Sequence, residues 1–333
     1  MLFTRAFIYT TTACQFDCKH CFVSTKRKKF KPQHIDLDLV EQFIHDFGSA
    51  KYGGFKESNI TGVGNPLLYP DLDKLIELLR TATRDEISIN CRGAINYDTI
   101  KLFKFYGVSV YYSMDYWGKR ADEQMRRSGL WEEQKQTVNR LISEKVPLRI
   151  RTTIMRDNFA DCLRFISLVE RLRARGVDIE WHAMPYLPYT SEDNLPTQRQ
   201  MEILTSIVMS KNGMRIIHPF WTCLHPDFRD RASRWWDRAP RICEAARDGG
   251  RITLSHTGEV LPCPFEDTVL SKYEKRGGKW ELNWSLFNEN RKKYLNMGLP
   301  EFCGDCRFKD VCRGGCRIHQ RLSKQCICPK GLW

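Results

Sequence analysis

Residues 11–24 read TTACQFDCKHCFVS, and the first predicted strand runs directly into them. They contain three cysteines, Cys14, Cys18 and Cys21, at the spacing C-x3-C-x2-C. Thiolates bind soft, thiophilic metals, and three of them can hold three corners of a 4Fe–4S cubane while the fourth iron stays open to a small molecule. If His20 supplied a fourth ligand, the same residues would form a zinc site instead.

Around this segment, short apolar strands alternate with amphipathic helices as far as about residue 212. Strands are predicted over residues 6–12, 57–62, 86–90, 109–114, 148–154 and 178–185. Helices are predicted over residues 36–47, 71–79, 132–142 and 159–172. Repeated βαβ units of this size predict an α/β protein with a parallel sheet and helices outside it, either open or curled toward a barrel. Ligands of such sheets bind at the C-terminal ends of the strands.

The composition favours a metal-binding globular protein. The chain has 333 residues and 14 cysteines, with 42% hydrophobic and 28% charged residues, which excludes a collagen-like or disordered chain. We find no apolar segment typical of a secretory signal or a membrane-spanning helix, and we therefore expect a cytoplasmic protein without membrane association. Cytoplasmic cysteines stay reduced, so this many of them indicate metal ligation rather than disulfides.

The chain is basic. Lys and Arg number 53 against 40 Asp and Glu, a net charge of +13. A basic surface attracts acidic partners such as nucleic acid, anionic lipid or an acidic peptide. The densest basic run, KRKKFK at residues 26–31, follows the cysteine segment closely. It is either a solvated loop or a docking patch for an acidic substrate.

Beyond residue 212 the apolar periodicity weakens and cysteines become frequent. A region with so little periodicity is predicted to fold around metal. A zinc ribbon in a nucleic-acid-binding protein is one alternative, although ribbons usually separate their cysteine pairs by about 15–20 residues and this tail does not. The nine cysteines of this region are Cys223, Cys243, Cys263, Cys303, Cys306, Cys312, Cys316, Cys326 and Cys328.

The N-terminal cysteine spacing resembles the signature of the radical S-adenosylmethionine (SAM) superfamily, in the loop after the first strand. The resemblance implies a partial (β/α)6 TIM-like barrel core over residues 1–212. It also implies that Cys14, Cys18 and Cys21 hold a 4Fe–4S cluster whose open iron chelates the amine and carboxylate of SAM. In that family the reduced cluster breaks the S–C5′ bond, and the resulting 5′-deoxyadenosyl radical abstracts a hydrogen atom from the substrate.

Further segments resemble SAM-binding motifs of that family, in the expected order along the strands. Residues 60–66, ITGVGNP, resemble a GGEP-like motif whose glycines let the backbone approach SAM, although Asn stands where Glu is usual. Residues 113–115, SMD, resemble the family's S-x-D-G stretch, and one of two later arginines would pair with the SAM carboxylate. The implied SAM-binding positions are Gly62, Gly64, Asn65, Asn90, Ser113, and Arg126 or Arg127.

The C-terminal cysteine spacing resembles the SPASM extension of the same superfamily. Cys243 and Cys263 are spaced C-x14-G-x4-C, and a C-x2-C-x5-C-x3-C run follows from Cys303 to Cys316. The resemblance implies a connecting segment over residues 213–242 and a small cysteine-rich iron–sulfur domain over residues 243–333, with two auxiliary 4Fe–4S clusters.

The resemblance also divides the cysteines between these clusters. Auxiliary cluster I would use Cys243, Cys263 and Cys316, with an open iron or with Cys223 as a further ligand. Auxiliary cluster II would use Cys303, Cys306 and Cys312 together with Cys328 or, nearly as well, Cys326. Counting the SAM-binding cluster, three 4Fe–4S clusters are expected.

SPASM members mostly modify peptides and proteins, so the resemblance implies oxidation or crosslinking of a peptide or protein. The basic charge of the chain favours an acidic substrate. An external electron donor of the flavodoxin or ferredoxin type is expected. Because the cluster motif starts at Cys14, a separate peptide-recognition protein would assist. The alternative is tailoring of a small molecule, by dehydrogenation or epimerisation of a sugar or cyclitol.

Several remaining residues are predicted to be structural. Cys91 and Cys162 lie in apolar segments and are expected in the core. His182 is expected to be a satisfied core histidine, with a pocket-facing role as the alternative. Trp221 and the pair at residues 235–236 are predicted to pack the connecting segment.

Overall fold

The computed structural model describes residues 3–21, 31–48, 54–186, 194–217, 243–299, 301–304 and 316–318. Several predicted features lie outside these residues. They are the basic run at residues 26–29, Trp221, Cys223, Trp235, Trp236, Cys306, Cys312, Cys326 and Cys328. The chain divides into two compact units. The first comprises residues 1–112, 122–148 and 244–297, and the second comprises residues 113–121, 149–243 and 298–333.

Strands and helices alternate through the first two thirds of the chain, and short strands follow. The strands are β1 (Arg5–Tyr9), β2 (Phe55–Thr61), β3 (Thr83–Cys91), β4 (Val108–Ser113), β5 (Leu148–Ile154), β6 (Ile179–Pro185), β7 (Met214–Ile216), β8 (Arg251–Leu254), β9 (Glu259–Leu261), β10 (Ser271–Arg276) and β11 (Lys279–Leu282). The helices are α1 (Leu37–Phe47), α2 (Leu72–Ala82), α3 (Tyr97–Tyr106), α4 (Lys119–Met125), α5 (Leu130–Ser143), α6 (Phe159–Arg173), α7 (Gln198–Ser210) and α8 (Trp284–Leu295).

In the first unit the strand order is β11-β10-β9-β8-β1-β2-β3-β4. Strands β8, β1, β2, β3 and β4 are parallel to one another, whereas β9 pairs antiparallel with β8, and β10 pairs antiparallel with β9 and β11. In the second unit the order is β5-β6-β7, and β7 is parallel to β6. The predicted α/β class with a parallel sheet is therefore confirmed.

The strand register of the first unit separates an apolar face from a polar face. Ile8 pairs with Ile60, and Ile60 pairs with Ile89, and all three are fully buried. One residue away, Asn59 pairs with Ser88 across the same strands and donates a 2.7 Å hydrogen bond to its hydroxyl. Because successive side chains of a strand point to opposite faces, this row of polar groups lies on the face opposite the isoleucines.

The first strand is shorter than predicted. It ends at Tyr9 instead of residue 12. Thr10 N still donates to the Thr61 carbonyl of β2 at 3.0 Å, and the backbone beyond it bonds with the segment before α1. Thr11 forms an isolated bridge with His34, and Thr12 N donates to the carbonyl of Gln33 at 2.9 Å. Because β1 ends early, the loop that carries the cysteines begins close to the sheet.

Residues 251–295 contain regular structure that the weak apolar periodicity beyond residue 212 did not predict. Four strands, β8 to β11, and helix α8 lie there. Three of these strands, β8, β9 and β11, have only three or four residues, which is too few to show a clear alternation in sequence. Helices α3, α4 and α7 were also not predicted, although Asn96 at the start of α3 and Gly107 at its end are typical capping residues.

The second unit buries the residues predicted to be structural there. Cys162 is fully buried in α6, and His182 is buried on β6 with Nε2 2.8 Å from Glu180 Oε2. Burial lowers the pKa of His182 to about 4, so this histidine is neutral at pH 7. In the first unit, Cys91 is likewise buried at the end of β3. Within the described parts of the chain, none of the helices is both long and apolar enough to cross a membrane.

Candidate functional site

Cys14, Cys18 and Cys21 lie on the loop that follows β1, and each of their side chains is partly exposed. Residues 18–21 form a turn, in which Cys21 N donates to the Cys18 carbonyl at 3.1 Å. Phe16 lies between the first two cysteines and is buried. Among the described residues, no group of three or more Cys, His, Asp or Glu side chains is arranged to hold a single metal ion.

The loop after β2 packs directly against the cysteine loop through backbone atoms. Gly64 N donates to the Thr11 carbonyl at 2.9 Å, and Asn65 N donates to the Ala13 carbonyl at 2.7 Å. A Cβ atom added at Gly64 would lie 2.1 Å from the Ala13 oxygen, and one added at Gly62 would lie 2.9 Å from the Thr11 oxygen. In this structure both glycines are therefore needed to let two stretches of backbone approach each other.

Asn65 connects the same two loops through its side chain. Its Nδ2 donates to Gln15 Oε1 at 3.1 Å and to the Arg92 carbonyl at 2.9 Å, and the residue is only 4% exposed. Its Oδ1 is buried and has no hydrogen-bond partner among the described residues. A buried acceptor without a donor costs free energy, so this oxygen is suited to accept a hydrogen bond from a ligand.

The two arginines between α4 and α5 contact different parts of the cysteine loop. Arg126, at a φ of 52°, forms an ion pair with Asp17, with Nη1 2.9 Å from Oδ2. Arg127 lies over the Phe16 ring, 5.0 Å from its centroid, and its Nη2 is 2.6 Å from Glu133 Oε2. The Nη1 atom of Arg127 is buried and has no hydrogen-bond partner in the described part of the chain.

Glu133 on α5 was not predicted as a site residue. Besides holding Arg127, its Oε1 accepts from Ala94 N at 2.6 Å and therefore connects α5 to the loop after β3. Gly93 in that loop has a φ of 86°, and a Cβ added there would lie 2.7 Å from the Phe16 ring. The sequence carries no signal for Glu133, which occurs in a run of polar helical residues, WEEQK.

Two other predicted SAM-binding positions, Asn90 and Ser113, lie at or near the ends of strands. Asn90 Nδ2 donates to Asn59 Oδ1 at 2.5 Å and so extends the polar row of the sheet. Ser113, at the end of β4, belongs to the second unit. In that unit Asp115 is buried and its Oδ1 accepts from Thr153 N at 2.7 Å, which ties the segment after β4 to β5.

Four of the C-terminal cysteines are described, and all four are buried: Cys243, Cys263, Cys303 and Cys316. Cys263 belongs to the first unit, where Arg251 Nη1 is 4.0 Å from its sulfur. The other three belong to the second unit. The predicted division of these cysteines between two clusters stays a prediction.

The residues around the cysteine loop fit an iron–sulfur cluster with a bound amino acid group. Three thiols at this spacing suit iron. Beside them, a buried acceptor, Asn65 Oδ1, and a buried donor, Arg127 Nη1, both lack protein partners among the described residues. An ammonium group needs acceptors and a carboxylate needs donors, so the two unpaired atoms match the two charged groups of an α-amino acid.

Comparison with known proteins agrees with this chemistry. Residues 8–169 match the family model described as the radical SAM superfamily. Over 177 residues the chain is 24% identical to the PqqA peptide cyclase of Rhizobium meliloti (strain 1021). The aligned region covers 52% of this chain and 45% of that protein. The chain thus spans less than half the length of this curated relative.

Two solved structures have a similar fold. Streptococcus suis SuiB bound to the precursor peptide SuiA superposes with a TM-score of 0.73 at 15% identity, covering 98% of this chain and 76% of SuiB. Native anSMEcpe with bound AdoMet superposes with a TM-score of 0.65 at 15% identity, covering 96% of this chain and 90% of the other. Residues 8–169 are therefore a radical SAM superfamily domain with the α/β fold of that superfamily, as the cysteine spacing predicted.

Proposed function

We propose that this protein is a radical SAM enzyme that cleaves SAM reductively and abstracts a hydrogen atom from a peptide or protein substrate. The observation that carries the proposal concerns two buried atoms, Asn65 Oδ1 and Arg127 Nη1, which have no partner among the described residues. Both belong to residues that contact the cysteine loop. A cluster held by Cys14, Cys18 and Cys21 would supply the electron that cleaves SAM.

The residues of the chain bind and orient the amino acid group of SAM. Asn65 Oδ1 accepts a hydrogen bond from the ammonium group, and Arg127 donates to the carboxylate. Glu133 holds Arg127 by one guanidinium nitrogen, which leaves the other for the ligand. Phe16 packs under the guanidinium and keeps water away from its face. Gly62, Asn90 and Ser113 are further SAM-binding residues in this proposal.

The C-terminal region, residues 243–333, is proposed to be a SPASM domain with two further 4Fe–4S clusters, after a core over residues 1–212 and a connecting segment over 213–242. The spacing of its cysteines supports the assignment, and so does the burial of the four that are described. Cys243, Cys263 and Cys316 are the proposed ligands of cluster I, and Cys303, Cys306, Cys312 and Cys328 or Cys326 those of cluster II.

A peptide substrate is supported by the relatives. One is a PqqA peptide cyclase, and SuiB was solved with a precursor peptide. The net charge of +13 favours an acidic peptide, since opposite charges steer association. The proposal includes a cytoplasmic location, an external electron donor and a separate peptide-recognition protein.

Anaerobic reconstitution tests the function. We expect about twelve irons per chain, as three 4Fe–4S cubanes contain, and 5′-deoxyadenosine when dithionite and SAM are added. Iron and sulfide are measured colorimetrically and the nucleoside by liquid chromatography. Colourless protein that contains only zinc, and forms no 5′-deoxyadenosine, contradicts the proposal.

A pair of conservative variants distinguishes the two arginines. Arg127→Lys should raise the Kd for SAM about tenfold or more, because the single ammonium of lysine cannot pair with Glu133 and donate to the SAM carboxylate in the fixed geometry of a guanidinium, and a hydrogen bond to a charged group contributes roughly 1.5–3 kcal/mol. Arg126→Lys keeps a cation beside Asp17 and should change Kd less than about twofold, as for an exposed ion pair. Binding is measured on reconstituted protein with equal iron content. A larger effect of Arg126→Lys would reverse the assignment.

A further inference from the structure

The arginine beside Cys263 is held in one position by a network of charges. Arg251, the first residue of β8, is 9% exposed. Its Nη2 is 2.7 Å from Glu244 Oε2, and its guanidinium lies over the Phe7 ring, 5.4 Å from the centroid. The remaining terminal nitrogen, Nη1, is 4.0 Å from the sulfur of Cys263.

The strand register explains why these groups meet. Strand β9 runs antiparallel to β8, with Leu261 opposite Thr253, so the chain beyond β9 returns to the start of β8. Cys263, two residues after β9, therefore lies beside Arg251. This position follows from backbone pairing and does not depend on a metal.

Glu244 directs the guanidinium toward the sulfur. Its carboxylate is shared with Arg5, whose Nη1 is 2.9 Å from Oε1, and Arg5 is also paired with Glu57 at 2.7 Å. Arg5 is the register partner of both Glu57 and Arg251 on the neighbouring strands. One terminal nitrogen of Arg251 is bound to Glu244, and the other terminal nitrogen lies on the side of Cys263. Glu244 also follows Cys243 directly in the sequence.

We propose that Arg251 sets the reduction potential of an iron–sulfur cluster ligated by Cys263. The inference rests on the proposed function, in which Cys263 is a ligand of auxiliary cluster I. One-electron reduction makes such a cluster one unit more negative, so a nearby cation and an N–H donor to the thiolate stabilise the reduced state more than the oxidised state. Arg251 thus raises the potential. It acts through Cys263 and is a positioning residue.

The test uses full-length Cys14→Ala/Cys18→Ala/Cys21→Ala protein, which retains the proposed auxiliary clusters alone. Addition of Cys263→Ala identifies the electron paramagnetic resonance signal of the cluster that this cysteine ligates. Redox titration of that signal is then compared in the parent and in Arg251→Gln. In Arg251→Gln we expect the ratio of reduced to oxidised cluster at a given potential to fall at least tenfold. For one electron this corresponds to a reduction potential lower by at least about 59 mV.

Two further variants separate a charge effect from a folding effect. Arg5→Gln removes an arginine of the same network that has no contact with Cys263, and it should change the ratio less than threefold. Glu244→Gln removes the counter-charge of Arg251 and should shift the ratio at least threefold the opposite way. A general loss of packing would not shift the potential in opposite directions in Arg251→Gln and Glu244→Gln. If Arg251→Gln fails to fold, the direction of the shift in Glu244→Gln still tests the inference.

The outcomes also separate this inference from the proposed function. If Cys263→Ala removes one cluster signal and neither Arg251→Gln nor Glu244→Gln moves its potential, the inference is overturned and the proposed cluster stands. If Cys263→Ala changes neither iron content nor any signal, then Cys263 is not a ligand, and both the proposed cluster I and the inference are wrong.

Discussion

Replacing Cys14, Cys18 and Cys21 together by alanine should reduce 5′-deoxyadenosine formation to the level of a control without enzyme. The reason is that the electron for SAM cleavage enters through the cluster these thiolates hold in our proposal. About eight of about twelve irons per chain should remain, because two cubanes are assigned to the C-terminal cysteines. Both quantities are measured on anaerobically reconstituted protein with dithionite as reductant.

The matched control for this variant removes two cysteines that have no role in the proposal. Cys91 and Cys162 are both buried in regular elements of the sheet-and-helix fold. Burial raises the pKa of each thiol far above its ordinary value, so neither is a thiolate at pH 7. Cys91→Ala/Cys162→Ala should retain all the iron and the full rate of SAM cleavage. Normal SAM cleavage by the triple variant would contradict the mechanism.

Adding a single methyl group at Gly64 should reduce SAM cleavage nearly as much as the triple cysteine variant does. The added Cβ of Gly64→Ala would lie 2.1 Å from the Ala13 oxygen and 2.7 Å from the Thr12 carbonyl carbon, well inside van der Waals contact. Both atoms belong to the backbone, so the cysteine loop itself must move. A misplacement of about 1 Å at an active site lowers a rate about a hundredfold. We expect that loss or more in SAM cleavage, with about four irons per chain lost.

Gly298→Ala is the control for the glycine variant. No described residue lies within 4 Å of a Cβ added at that position, and Gly298 does not have a positive φ. It should therefore match the unmodified protein in iron content and rate. If Gly64→Ala retains all its iron and more than a tenth of the rate, the close approach of the two loops is not required for the site.

Residues near each other in the chain were enough to predict the class of chemistry. The spacing of Cys14, Cys18 and Cys21 indicated a thiolate-held cluster, and the alternation of strands and helices indicated a parallel α/β sheet. The match of residues 8–169 to the radical SAM superfamily model spans the same cysteine spacing and strand–helix alternation. These signals are readable because cluster ligation and strand or helix periodicity depend on residues a few positions apart.

Tertiary structure determined which side chains act together. Arg126 and Arg127 are equivalent in the sequence, yet one pairs with Asp17 and the other stacks on Phe16. Arg126 and Asp17 are 109 positions apart in the sequence, and Asn65 and Gln15 are 50 positions apart. No local pattern records these contacts.

The same holds for the glycine loop and for the C-terminal strands. Gly64 is predicted to let the backbone approach a ligand, and its close contact with the Ala13 carbonyl is visible only in the structure. Strands β8, β9 and β11 have too few residues to show a period, and β8 is placed in the sheet by parallel pairing with the distant strand β1. Residue type and spacing therefore specify which atoms can bind metal, while packing between distant segments specifies where each charge and each unpaired hydrogen-bonding atom lies.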